Sequence, residues 1–174
     1  AYFGCDWGAW LSSFFAPARP LLQQLPLATA PGNHEGYGQV GGPECPKMAF
    51  YYSFFSPLYG QRLRPGPDGM YAFDHGNARF ISLALLSNHA GKEFAADACS
   101  ADEPCGSPVL CPRRWLQCEL SGQGDPAWSG IDHVFVLNHA PMITAAPARK
   151  HGSSEIQIRN LAPLFERPDG VKPG

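Results

Sequence analysis

Apolar residues recur with two different periods along the chain. Trp7, Trp10, Leu11, Phe14 and Phe15 stand at i, i+3, i+4, i+7 and i+8, one face of an amphipathic helix. Asp6 is placed to cap that helix and Pro17 and Pro20 to end or kink it. Core packing is the plain reading of this aromatic stripe. Residues 26–30 read as a short buried strand running directly into Pro31-Gly32-Asn33-His34-Glu35. Residues 36–68 form a long irregular stretch with aromatic clusters at Phe50-Tyr51-Tyr52 and Phe54-Phe55. Residues 70–74 and 78–83 predict two strands joined by a hairpin turn at His75-Gly76-Asn77. Residues 115–120 predict a helix, residues 122–130 a loop, and residues 133–137 a buried strand ending in Asn138-His139-Ala140-Pro141. A last helix has Ser154 as N-cap, Gln157 in the capping-box position, an apolar face of Ile158, Leu161, Leu164 and Phe165, and Gly170 as its stop. Strand, loop and helix alternate, which predicts an α/β layered fold. In such sheets chemistry gathers beyond the carboxyl ends of strands, and both His-bearing loops lie there.

Composition narrows the class. The 174 residues amount to one domain, long enough to bury a sizeable core. With 44% hydrophobic and 16% charged residues the chain reads as globular rather than disordered. A formal net charge of -2 gives no basic excess for holding nucleic acid. No apolar run approaches the ~18 residues a membrane span needs. No signal-peptide pattern is present either; the chain does not start with Met, which leaves room for a leader upstream. Gly 19 and Pro 18, without a period, point to long ordered loops.

The cysteines suggest a compartment. Cys99, Cys105, Cys111 and Cys118 crowd one stretch of small, polar, Pro- and Gly-rich residues, and their spacings do not fit the paired C-x2-C of zinc ribbons. A disulfide-pinned surface insertion at about residues 88–114 is expected, and with it an oxidising, secreted or lumenal setting. Reduced, inert thiols are the alternative. Cys5 and Cys45 form a candidate third pair, though connectivity is not readable from sequence.

Two tetrapeptides carry the candidate chemistry. In Gly32-Asn33-His34-Glu35 the glycine permits a tight turn or close backbone approach. The Asn33 carboxamide oxygen is a neutral hard ligand for a divalent metal, adding no negative charge near an anionic substrate. His34 is suited to hydrogen-bonding a phosphoryl oxygen or protonating a leaving group. In Val136-Leu137-Asn138-His139 a neutral imidazole, the commonest metal ligand, sits at the end of a strand that holds its backbone rigidly. Taken alone, each tetrapeptide is also compatible with a turn and an incidental or structural histidine.

Together, in this order and these strand contexts, the two motifs resemble the calcineurin-like metallophosphoesterases. That superfamily carries D-x-G or D-x-H, then G-D-x-x-Y or a variant, then G-N-H-[DE], then V-x-x-H or similar, then G-H-x-H. The purple acid phosphatase branch is the most similar, by a Trp-containing helix before the G-N-H-E strand and a W-L-x-x-E-L element, here Trp115 to Leu120, before the V-x-x-H strand. His151 and Glu155 match a later His near an acidic residue and a helix.

The resemblance implies an α-β-β-α metallophosphoesterase sandwich, incomplete at both ends of residues 1–174. It implies a dinuclear centre of Fe(III) with Zn(II), Mn(II) or Fe(II), in which Asn33 and His139 are ligands of the divalent ion. His34 and His151 orient phosphate or assist the leaving group. Tyr2 is the tyrosinate ligand of ferric iron if Gly-Asp-x precedes Ala1. The implied reaction is hydrolysis of a small phosphate monoester, with two metals about 4 Å apart clamping phosphate and activating water, and the histidines stabilising charge on oxygen.

The D-x-G block followed by Gly-Asp ahead of Gly32, and G-H-x-H after His139, do not occur in that order here. Fewer than half of the family's ligands are present, so this chain alone is expected to hold two metals poorly and to be inactive, while its parent is active. A phosphodiesterase or nucleotide pyrophosphatase, and a non-catalytic disulfide-rich binding domain, are the alternatives. His75 in a turn is expected to be solvated, His133 at a strand start to lie at the surface or behind a ligand, His89 beside Asn88 to have no site role, and the Arg113-Arg114 pair to be solvated, with substrate steering as the alternative.

Overall fold

The computed structural model describes residues 6–36, 48–55, 64–84, 91–95, 103–105, 107, 110–123, 125–144 and 154–166. Tyr2, Cys5, Cys45, His89, Cys99, His151 and Gly170 lie outside them, so the expectations for those residues are not addressed.

A four-stranded sheet runs in the order β1 (Arg64–Pro65), β2 (Tyr71–His75), β3 (Ala78–Ser82), β4 (His133–Leu137). The β2–β3 hairpin turns at Gly76-Asn77, where Gly76 has φ 59°, a left-handed conformation that glycine adopts without steric cost. β3 and β4 are parallel, with Ser82 opposite Leu137 and Ala78 opposite His133. The connection between them includes α5 (Pro112–Ser121), which ends in a left-handed cap at Gly122. The chain is thus of mixed α/β class, with α5 and α6 (Glu155–Phe165) on one sheet face. The core there is Met70, Ala72, Ile81, Leu83, Phe94, Trp115, Leu116 and Leu161. Period-two alternation sends Tyr71, Phe73, Phe80 and Phe135 to the other face, where Phe73 stacks on Phe80 and Phe80 on Phe135 at centroid distances of 5.0 and 5.1 Å.

A second cluster joins the N-terminal helices to α4 (Ala49–Phe55), around Trp10, Met48, Tyr51 and Phe55. Asp6 caps α1 (Trp7–Trp10) by accepting from the Ala9 N–H at 3.0 Å, as its position predicts. Of the expected stripe, Trp10 is buried and Phe14 and Phe15 are half-buried, but Trp7 and Leu11 stay exposed. Pro17 and Pro20 do not end the helical run. A π turn at Leu11–Phe15 leads into α2 (Ala16–Leu22), which holds Pro17 in its first turn and Pro20 in its interior; π turns and prolines are where a continuous helix bends rather than stops.

Several other expectations need correction. Residues 26–32 belong to no strand. Pro26 and Pro31 offer no N–H, and the Thr29 backbone bonds side-chain hydroxyls rather than a neighbouring strand. The stretch 36–68 is not wholly irregular, since it contains α4 and β1. Residues 126–130 of the expected loop form a 3-10 helix. Among the described residues β4 stands at the sheet edge rather than buried within it, and Phe135 is 51% exposed. Ser154 does cap α6, accepting from the Gln157 N–H at 3.2 Å, but its own N–H donates to the Met142 carbonyl, so the reciprocal half of the capping box is absent. Cys105 and Cys118 are bridged, tying the Cys-rich insertion to α5, and Cys111 is also disulfide-bonded. No described helix is long and apolar enough to cross a membrane.

Candidate metal centre

Gly32-Asn33-His34-Glu35 forms a tight turn into the short helix α3 (Asn33–Gly36). The Gly32 N–H donates to Glu35 Oε2 at 2.9 Å, so the glutamate folds back over its own turn. Gly32 is buried, and a Cβ there would sit 2.8 Å from His139 Nδ1 and 3.0 Å from Glu35 Oε2. Glycine is needed because the His139 ring lies against this backbone.

His139 arrives from β4. The Leu83 N–H donates to the Leu137 carbonyl at 2.9 Å, holding the two parallel strands together just before the loop. The Asn138 side-chain amide donates to the Ala140 carbonyl and closes the turn, while its Oδ1 is buried with no hydrogen-bond partner among the described residues. The His139 ring is exposed, and its Nε2 lies 2.9 Å from Asn33 Oδ1 across a sequence separation of 106. With the amide oxygen as acceptor, the ring donates from Nε2.

A separation of 2.9 Å is the ordinary length of an N–H···O hydrogen bond. The same closeness would let both side chains reach one divalent ion, with the metal replacing the shared proton. Asn33 and His139 are the residues here that would hold it. Among the described residues no group of three His, Cys, Asp or Glu side chains could hold a metal ion, so the pair supplies only part of a coordination shell. His34 follows Asn33 on α3 and is half-buried. His75 and His133 are exposed at the opposite end of the strands, as expected.

Arg113 and Arg114 are not a solvated pair. Arg113 Nη1 donates to the Phe94 carbonyl at 2.6 Å, and Arg114 Nε to the Glu103 carbonyl at 2.6 Å. Both close loops onto α5.

A charge network at that opposite end carries no sequence signature. Arg64 forks onto Asp74 at 2.9 and 3.0 Å and reaches Glu119 at 2.9 Å. Arg79, 1% exposed, binds Asp74 through Nε and Nη2, Asp125 through Nη2 and the Glu119 carbonyl through Nη1, and lies 4.8 Å over the Trp128 ring. Burial pushes the Asp74 carboxyl up, but hydrogen bonds from Arg79 and Arg64 outweigh it and hold it down at about 2. Burial pushes Glu119 up, and Arg64 offsets only part of that. The members are scattered over residues 64–125, so only the fold assembles them. Glu119 is the glutamate of the W-L-x-x-E-L element, and its partners give that element a structural role.

Comparison of the chain with protein-family models, with curated proteins and with solved structures finds no match.

Proposed function

We propose that this chain is part of a metal-dependent phosphomonoesterase resembling the purple acid phosphatases, built on the α-β-β-α sandwich that the resemblance implies. One observation carries the reading: the G-N-H-E and V-x-x-H motifs, far apart in sequence, meet through Asn33 Oδ1 and His139 Nε2 at 2.9 Å. A bound dinuclear centre would supply Lewis acidity and an activated water. Asn33 contributes a neutral oxygen to the divalent ion, which leaves the site attractive to an anionic ester. His139 contributes a nitrogen whose backbone is fixed by β4. His34 is assigned to the phosphoryl oxygens or the leaving group, and His151 to the same work; Tyr2 is assigned to ferric iron. The substrate is a small phosphate ester. A secreted or lumenal setting is supported by the Cys105–Cys118 bridge and the bonded Cys111.

The test is hydrolysis of p-nitrophenyl phosphate by the product of the full reading frame and by the 174-residue chain, with and without divalent metal. Metal-dependent turnover by the former, abolished in His139→Ala, together with little or none by the latter, is expected. Turnover indifferent to metal and to His139, or no phosphoester hydrolysis by the full product, would contradict the reading. The second outcome would move a non-catalytic disulfide-rich binding domain to the front.

A further inference from the structure

Residues 26–32 carry the first motif to the site without any strand pairing. What holds them is a knot of hydroxyls around one residue, Thr29. The Tyr71 hydroxyl accepts from the Thr29 N–H at 2.6 Å and donates to the Thr29 carbonyl at 2.6 Å. It thereby meets both backbone groups of that residue, as a neighbouring strand would. Ser82 Oγ donates to the same carbonyl at 2.9 Å, and the Tyr51 hydroxyl lies 2.9 Å from Thr29 Oγ1. Tyr71 is 3%, Tyr51 2% and Ser82 1% exposed, so these bonds are shielded from competing water.

The position of the knot gives it a consequence. Thr29 lies four residues before Asn33. Ser82 ends β3 directly opposite Leu137, two residues before His139. Tyr71 begins β2 opposite Ser82. The path from Thr29 through Ser82 and Leu137 to His139, and back through Asn33 to Thr29, is a closed ring. Its last link is the 2.9 Å contact between Asn33 and His139.

We propose that Tyr71, Ser82 and Tyr51 are positioning residues that clamp the Thr29 backbone and thereby set Asn33 against His139 for a divalent cation. The cation part rests on the proposed function; the positioning part does not. None of the three hydroxyls needs to touch the ion. Their work is to keep two ligands at ligand spacing before the ion arrives, so that binding does not have to order a loop.

The experiment compares the 174-residue chain with Tyr71→Phe, with Tyr71→Phe/Ser82→Ala, with the conservative Ser82→Thr, and with Asp125→Asn, a change at the far end of the sheet chosen to lower stability without touching the knot. The first readout, taken without metal, is the nitrogen NMR spectrum of the His139 ring, which reports the hydrogen bonding of its two nitrogens. The second is Zn2+ affinity. Tyr71→Phe and the double variant are expected to move the His139 ring nitrogen resonances toward those of a freely solvated imidazole and to weaken Zn2+ binding tenfold or more. Ser82→Thr and Asp125→Asn are expected to keep both. Tyr71→Phe, which removes no packing atoms beyond the hydroxyl, serves if the double variant does not fold. An unchanged His139 spectrum in folded Tyr71→Phe overturns the clamp. A changed spectrum in a chain whose wild type does not bind Zn2+ keeps the clamp and sinks the metal reading instead.

Discussion

Asn33 Oδ1 and His139 Nε2 lie 2.9 Å apart across a sequence separation of 106. One atom belongs to the first residue of a four-residue helix and the other to the loop leaving β4. Such a contact between an amide and an imidazole is modest as a hydrogen bond, and both groups are accessible enough to bond water instead. Its interest is that it brings together two separate motifs at the two atoms proposed here as ligands of one ion.

The closeness of that packing predicts the effect of Gly32→Ala. The new methyl would meet the His139 ring at 2.8 Å, and the ring has to move away from Asn33. Because the exposed ring can swing into solvent, the loss in stability should be about 0.5–1.5 kcal/mol, the net worth of one hydrogen bond, and the His139 ring nitrogen resonances should move as the contact with Asn33 breaks. An unchanged ring spectrum would show that the His139 ring does not lie against Gly32 in solution.

Removing Arg79 should destabilise the chain without touching the site. Arg79→Met leaves Asp74, Asp125 and Glu119 short of a partner, and breaking a buried pair from one side costs about 3–5 kcal/mol. Urea denaturation measures the loss. The His139 ring spectrum of the folded variant should match wild type, because the network lies at the opposite end of β3 and β4.

Acid should attack the same network. Asp74 has a depressed pKa in the folded chain, about 2 against an ordinary 3.8. A carboxylate of this kind contributes stability that is present above its unfolded pKa and is lost as pH falls through the folded value. Asp125, also held down against burial by its hydrogen bond from Arg79, acts in the same sense. Glu119 is raised and acts in the opposite one, since its protonation relieves a buried charge as pH falls. Melting temperature should therefore drop between about pH 4 and pH 2, and Asp74→Asn should flatten that drop. A drop of equal size in the variant would place its origin elsewhere.

The Cys105–Cys118 bridge closes a loop with a sequence separation of 13. Loops near that length restrict the unfolded chain by about 3 kcal/mol. Replacing both cysteines with alanine should lower stability by about 2–3 kcal/mol in urea, with the His139 spectrum retained. A loss below about 0.5 kcal/mol would mean that the insertion barely constrains α5.

What could be read from the residues depended on how local the cause was. The Asp6 and Ser154 caps, the Gly76-Asn77 turn and the helix around Trp115 rest on neighbours a few positions apart, and all are seen. Residues 26–30 failed as a strand because an apolar run says nothing about whether a partner strand lies beside it. β4 failed as a buried strand for a related reason: its residues suit burial, but among the described residues it sits at the sheet edge. The Arg64–Arg79 network and the hydroxyls around Thr29 were invisible, since each member is an ordinary residue until the fold gathers them. The motifs themselves were legible, and a joint use was expected from the resemblance alone; that Asn33 and His139 touch is information only the three-dimensional arrangement carries.

The most direct test of the account is a Zn2+ titration of the 174-residue chain followed on its histidine rings by NMR, beside Asn33→Ala and His139→Ala. The account predicts that His139 responds first, that one weakly held ion rather than two tight ones binds, and that either substitution weakens this binding tenfold or more. A first response at His75 or His133, or affinity unchanged by both substitutions, would contradict it.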